Sequence, residues 1–405
     1  MYISKQPQAQ KIVTGNGDPE KQNLIDLLLL NRIGHKQLQR LQGGIDADDL
    51  SDIIQRIYDL NEKYILKLSA VDGLLRKLND IKNEWRNDRF KKEIKHKFRD
   101  SSNKKVILAE GDSWFNYPVI LTDIIDRISM DKDFAVYSLA AGGDWLLNML
   151  SARNYVEQLS VIHPDVFLIS GGGNDLVGSA RIAAVVDPQG ASMEFDKCEF
   201  AKYLIENAHK DKVPLDKNRF DKGVKHLSKD FFALLMFFHL QYYFLIGGIL
   251  RNARKKGDKF YGIKIITQGY DYVQPSFNKS FGLNPLLWYV PFIRSFLGHG
   301  TWLKRPLQLR GILNDDVQKD ILYAMIYLFN EMMINIGRLF NETDCCHVCH
   351  IDSRGSIPSN GWTDELHPRP EYFMKTARIF IDCIKETQSP TYEHVYIVNQ
   401  FYSEI

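Results

Sequence analysis

The hydrophobic pattern changes character near residue 105. Before that point apolar positions recur at helical spacing, with Leu50, Ile53, Ile54, Ile57 and Leu60 on one stripe that continues through Tyr64 and Leu68 toward Trp85 and Phe90. Upstream, Asp18 can cap a helix through LIDLLLLNRI, and Gly43 and Gly44 end that region. From Lys105 the pattern becomes short apolar runs that end in glycine-rich turns and lead into helices. Runs at 106–109, 134–138, 166–170, 263–267 and 348–352 predict five strands, and amphipathic segments at 120–129, 145–150, 230–254, 317–340 and 371–384 predict helices between them. This alternation predicts an α/β fold around a parallel sheet. The chain therefore divides into a helical N-terminal region (1–104), an α/β domain (105–388) and a C-terminal tail (389–405). Two stretches, near 178–228 and 273–314, exceed ordinary connections and read as insertions.

The segment 231–250, FFALLMFFHLQYYFLIGGIL, has only His239 and Gln241 as clearly polar residues and is long enough to span a bilayer. Its place inside the α/β pattern predicts a helix buried against the sheet instead, so membrane association is not favoured. The formal charge of +2 on 405 residues gives no reason to expect nucleic acid as a partner. Locally, residues 76–105 hold 12 Lys and Arg against 5 acidic residues. The plain reading of that run is a solvated helix face; docking of a protein partner through the N-terminal helical region is the sharper one. Five cysteines without framework spacing, and an N-terminus without a signal-type apolar run, predict reduced thiols and a cytoplasmic protein.

In open parallel sheets the ligand lies beyond the carboxyl ends of the strands, so the residues there matter most. The first strand is followed by GDSW, which sets the Ser113 hydroxyl at the strand edge; the second by AAGGDW, where Gly142 and Gly143 leave backbone N–H groups unobstructed; the third by SGGGND, where Asn174 offers an uncharged donor. Near the C-terminus, WTDELHPRP places Asp364 and His367 three residues apart, so one short turn can supply both a base and the group that orients it. Taken singly, each motif is also an ordinary turn former. Their order, with each falling just beyond a predicted strand or before the last helix, points to acyl transfer from Ser113. A metal site lacks a third ligand and any HExxH motif, so no metal and no cofactor are expected. Cys345, Cys346, His347, Cys349 and His350 run into a predicted strand, whose alternating faces keep them from converging, and read as buried thiols. Asp112, Asp144 and Asp175 read as loop braces.

These blocks resemble the SGNH or GDSL hydrolases: GDSW carries the serine, AAGGD the glycine, GGGND the asparagine and DELHP the aspartate and histidine. The chain is similar in particular to a bacterial subgroup with a GDSWFxYP phrase, here GDSWFNYP, and a GYDY phrase, here Gly269 to Tyr272. Trp114 follows the serine where the wider family has leucine, as is common in the subgroup, and the chain departs from the subgroup in carrying Gln268 where that often has histidine. The resemblance implies a flavodoxin-like three-layer sandwich with a five-stranded sheet and metal-free ester hydrolysis through an acyl-enzyme. It implies a triad of Ser113, Asp364 and His367, and an oxyanion hole of the Ser113 N–H, the Gly143 N–H and the Asn174 side chain. Trp114, Asp144 and Tyr270 are the expected substrate contacts, and the substrate a lipid or acyl ester or an acetylated sugar. The alternative is an interaction or effector protein whose helical N-terminal region binds a partner while the hydrolase fold is a regulated or silent output.

Overall fold

The computed structural model describes residues 80–95, 104–117, 122–255, 262–276, 302–343 and 347–398, with residues 19, 20 and 23 besides. The rest of the N-terminal region and 277–301 of the second insertion lie outside the described residues. The elements that position the site are helix α1 (80–95), strand β1 (Lys105–Gly111), α2 (Ile124–Ser129), β2 (Phe134–Ser138), α3 (Leu146–Ala152), α4 (Asn154–Ile162), β3 (Val166–Ser170) and α5 (Gly173–Val177). They continue with α6 (Lys229–Lys255), β4 (Lys264–Gln268), α7 (Asp315–Thr343), β5 (His347–Asp352), α8 (Pro370–Lys385) and β6 (Val395–Ile397).

The sheet is parallel, in the order β2-β1-β3-β4-β5-β6. It therefore has six strands, not the five expected. The sixth comes from residues read as a tail, where Asp352 pairs with Ile397. A three-residue strand is too short to leave a period-two signature in sequence. β3, VFLIS, is buried at every position, as a central strand covered on both faces must be. α2 and α8 pack together, while α6 packs on α3, α4 and α7. β1 and β3 are neighbours with Gly111 opposite Ser170, so the turns that follow both strands emerge side by side. The strand order changes sense here, with β2 on one side of β1 and β3 on the other, which is where such sheets open a crevice.

α6 carries the long apolar segment. Phe231, Leu235, Phe238, Tyr242, Leu245, Ile246 and Ile249 are 0–2 % exposed and form part of the core. Half of the apolar window Lys229–Leu250 is buried in the fold, while Met236, Phe237, Leu240, Tyr243 and Phe244 form an outward apolar stripe.

α1 is not a free charged face. Lys82 and Arg86 are buried, and both pair with Asp123 at 2.6 Å and with Asp126 at 2.9 and 2.7 Å. The expected solvated run fails at these two residues. The two cations hold the Asp126 carboxyl well below the usual carboxylate range. Asp123 caps α2, accepting from Asp126 N while the Asp126 carboxylate accepts from Asp123 N. Asn87 both donates to and accepts from the Ser138 backbone, tying α1 to the end of β2.

Candidate active site

The turn after β1 is built around the Asp112 side chain. Its Oδ1 accepts from Trp114 N and Ser170 Oγ, both at 3.1 Å, and its Oδ2 accepts from Tyr270 Oη. Tyr270 Oη in turn accepts from Gly173 N at 3.2 Å. One buried carboxylate thus fixes the Ser113 turn, the end of β3, the start of α5 and the segment after β4. Burial raises its pKa above the ordinary aspartate value. Asp112 therefore braces loops, its carboxylate oxygens being committed to Trp114, Ser170 and Tyr270.

Ser113 and His367 stand 254 residues apart in sequence, and Ser113 Oγ lies 2.7 Å from His367 Nε2. On the other side of the ring, Nδ1 lies 2.8 Å from Asp364 Oδ2. A proton on Nδ1 satisfies that carboxylate and leaves Nε2 to accept from the serine hydroxyl, the tautomer this hydrogen-bond network favours. The turn that carries the pair is closed on itself. Asp364 Oδ1 accepts from Leu366 N at 2.6 Å and His367 N at 2.8 Å, and Thr363 N donates to His367 O. Tyr117 adds what the sequence did not reveal: its hydroxyl donates to Asp364 Oδ2 at 3.0 Å, and its ring lies 4.4 Å from the imidazole. Trp114 Nε1 donates to Leu366 O, linking the serine turn to the histidine turn.

Gly143 occupies the turn after β2 with φ +86°, a conformation that favours glycine, and a Cβ there would point into open space. The turn lies beside β1, with Ala141 N donating to Gly111 O at 2.8 Å. Asn174 Nδ2 donates to Asp144 O at 3.0 Å, joining the second motif to the third. Asp144 accepts from Trp145 N and Asn148 Nδ2, and Asp175 Oδ2 accepts from Leu146 N. Burial raises the pKa of both aspartates, that of Asp175 to about 6.

A cavity opens at this place, and its lining includes Ser113, Trp114, Asn174, Tyr270 and His367. Gly143 and Asp144 adjoin it through the Asn174 bond and are not part of the lining. Trp114 and Tyr270 are 3 % and 5 % exposed and already have polar partners, so they present ring surface to the cavity.

Glu365 had no sequence signal beyond its place between Asp364 and Leu366. Its carboxylate accepts from four backbone N–H groups: Ser276 at 3.3 Å, Trp302 at 3.0 Å, Leu303 at 3.2 Å and Lys304 at 2.8 Å. Its own carbonyl accepts from Gln274 N. Burial pushes the Glu365 carboxyl up to about 7 in spite of those donors. In the expected thiol cluster, Cys345 and Cys346 lie outside the described residues. Cys349 is buried against Cys383 as a free thiol, and His350 bonds Thr267 on β4. Among the described residues no group of three or more His, Cys, Asp or Glu is arranged to hold a metal ion.

No family model and no curated protein matches the chain. Among solved structures it is similar to a variant of an acetylxylan esterase from Geobacillus stearothermophilus. The identity is 12 %, coverage is 68 % of this chain and 92 % of that one, and the TM-score is 0.32. It is also similar to a putative GDSL-like lipase from Parabacteroides merdae, at 12 % identity over 56 % of this chain and 97 % of that one, with a TM-score of 0.21. At such scores the likeness carries no weight for activity or substrate, which rest on the geometry of the site.

Proposed function

We propose that the protein is a serine hydrolase of the SGNH type that cleaves a carboxylic ester through an acyl-enzyme. The observation that supports this most is the chain of contacts from Ser113 Oγ through the His367 ring to Asp364, at 2.7 and 2.8 Å. The turn after β1 and a C-terminal turn must converge to make it. In the first half-reaction Ser113 Oγ bonds to the ester carbonyl carbon while its proton passes to His367 Nε2, and the carbonyl π electrons move onto oxygen. Asp364 stabilises the imidazolium, and Tyr117 helps hold that carboxylate in place.

The oxyanion faces the Ser113 N–H, the Gly143 N–H and the Asn174 amide. That amide carries two N–H bonds, of which one is held by Asp144 O and the other is free to turn to substrate. Collapse expels the alcohol, which takes the proton from Nε2. Water then repeats the sequence with His367 as base, releasing the acid and restoring Ser113.

The test is pre-steady-state hydrolysis of a p-nitrophenyl ester. Wild type should release a burst of about one p-nitrophenol per active site whenever deacylation is slower than acylation. Ser113→Ala and His367→Ala should show no burst and a turnover reduced by about 10⁴-fold or more. Equal turnover in wild type and Ser113→Ala would remove the proposal.

A further inference from the structure

The cavity on which Ser113 and His367 open is apolar wherever the catalytic groups do not occupy its wall. Leu322, Met325, Ile326 and Phe329 recur along α7 at positions i, i+3, i+4 and i+7, so one face of that helix lines the cavity. Val177 of α5 and Val273 beyond β4 lie on other walls. Of the polar side chains bordering it, Tyr270 Oη is committed to Asp112 and Asp112 to Trp114 N and Ser170, while Asn174 gives one N–H to Asp144 O and keeps the other for the oxyanion. A sugar or other hydroxyl-bearing group placed against these walls would lose its water partners and gain few in return. A hydrocarbon chain would gain by leaving water.

The part of an ester that stays longest on the enzyme is the acyl group, bonded to Ser113 until water releases it, whereas the alcohol must leave after the first step. An apolar cavity suits the group that stays. From Leu322 to Phe329 the lining face of α7 covers two helical turns, about 10 Å, comparable with an extended chain of about eight carbons.

We infer that this cavity is an acyl pocket, and that the substrates are esters of unbranched aliphatic acids of about four to eight carbons, a length set by the α7 face. The inference rests on the reading of Ser113 as acyl acceptor. The apolar residues that carry it are those of α7 and α5. Those of 231–250, which as sequence also suggested an acyl ligand, divide between the core and the outer surface.

The experiment measures kcat/KM for p-nitrophenyl acetate, butyrate, hexanoate and octanoate with the full chain. Wild type should gain about threefold per methylene until the pocket is filled, so that hexanoate exceeds acetate by at least about tenfold. Ile326→Trp should lower the hexanoate-to-acetate ratio by about tenfold or more. Val177→Phe, which narrows the pocket from α5, should lower the same ratio and serves if the tryptophan variant does not fold. Preference of wild type for acetate, or a ratio unmoved in a folded variant, overturns the acyl pocket and leaves the hydrolase reading standing. Failure to turn over any of the four esters overturns both.

Discussion

Asp364 and Glu365 are consecutive carboxylates on one turn, both buried, and they do opposite things. Asp364 faces the site and takes one side of the His367 ring, with Tyr117 as a second donor. Glu365 faces away and gathers backbone N–H groups from Ser276 and from 302–304, two segments separated in sequence by 25 residues of the second insertion. The comparison separates two kinds of carboxylate on one turn. One meets the imidazole, where in the proposed reaction a positive charge develops, and the other anchors the turn to distant backbone. Successive residues can divide these tasks because their side chains leave the backbone in different directions.

The largest expected effect comes from the side that faces the site. Asp364→Asn keeps the shape but offers the imidazole an amide in place of a carboxylate, and should lower kcat by about 10³- to 10⁴-fold with little change in KM. A steady-state assay on a chosen ester reads this directly, and a change confined to KM would mean that Asp364 acts in binding instead.

Glu365→Gln should act more weakly and differently. Four N–H donors then meet an amide with one acceptor oxygen, so the turn is loosened. The expected result is a kcat lowered by about tenfold together with a melting temperature lowered by several degrees. Asp364→Asn should leave the melting temperature closer to wild type, so the two variants separate chemistry from anchoring.

The pH dependence of stability sharpens the same contrast. Burial raises the Glu365 carboxyl from 4.5 to about 7, so the folded state favours its protonated form. The stability this contributes is fully present below the unfolded value near 4.5 and is lost as pH rises through about 7. Thermal melts across that window should show a downward trend that is smaller in Glu365→Gln than in wild type. An equal trend in both would show that another group carries it, with Asp271, also raised to about 7 by burial, the first to examine.

The smallest expected effect is that of Tyr117→Phe. It removes one donor from Asp364 while keeping the ring against His367, and should cost about threefold to tenfold in kcat. No change in kcat would confine Tyr117 to packing.

Much of the frame was legible in sequence because it depends on local rules. The predicted strand 134–138 coincides with β2, and 166–170 with β3, because a fully buried parallel strand is a short unbroken apolar run. Ser113 and Asn174 drew attention because glycine-rich turns at strand ends mark where a backbone must come close to something, and His367 because Asp364 stands three residues before it. The remainder depends on long-range contacts. Tyr117 touches Asp364 across 247 residues, and Glu365 meets Trp302 N across 63. Tyr117 stands in the GDSWFNYP phrase and Glu365 in DELHP, but neither phrase says which partner the side chain meets. The lining of the cavity was hidden for another reason: at 322, 325, 326 and 329 an apolar helix face that borders a cavity has the same periodicity as one that borders the core. Likewise the basic run of 76–105 shows a charge surplus but not that Lys82 and Arg86 turn inward to Asp123.

The central claim, that Ser113 is an activated nucleophile, is tested most directly by reaction with an alkyl fluorophosphonate followed by intact-mass and peptide mapping. The account predicts one covalent adduct per chain, located on Ser113, formed far more slowly in His367→Ala and absent in Ser113→Ala. An adduct on another residue, or none under conditions that label a known serine hydrolase, would contradict it.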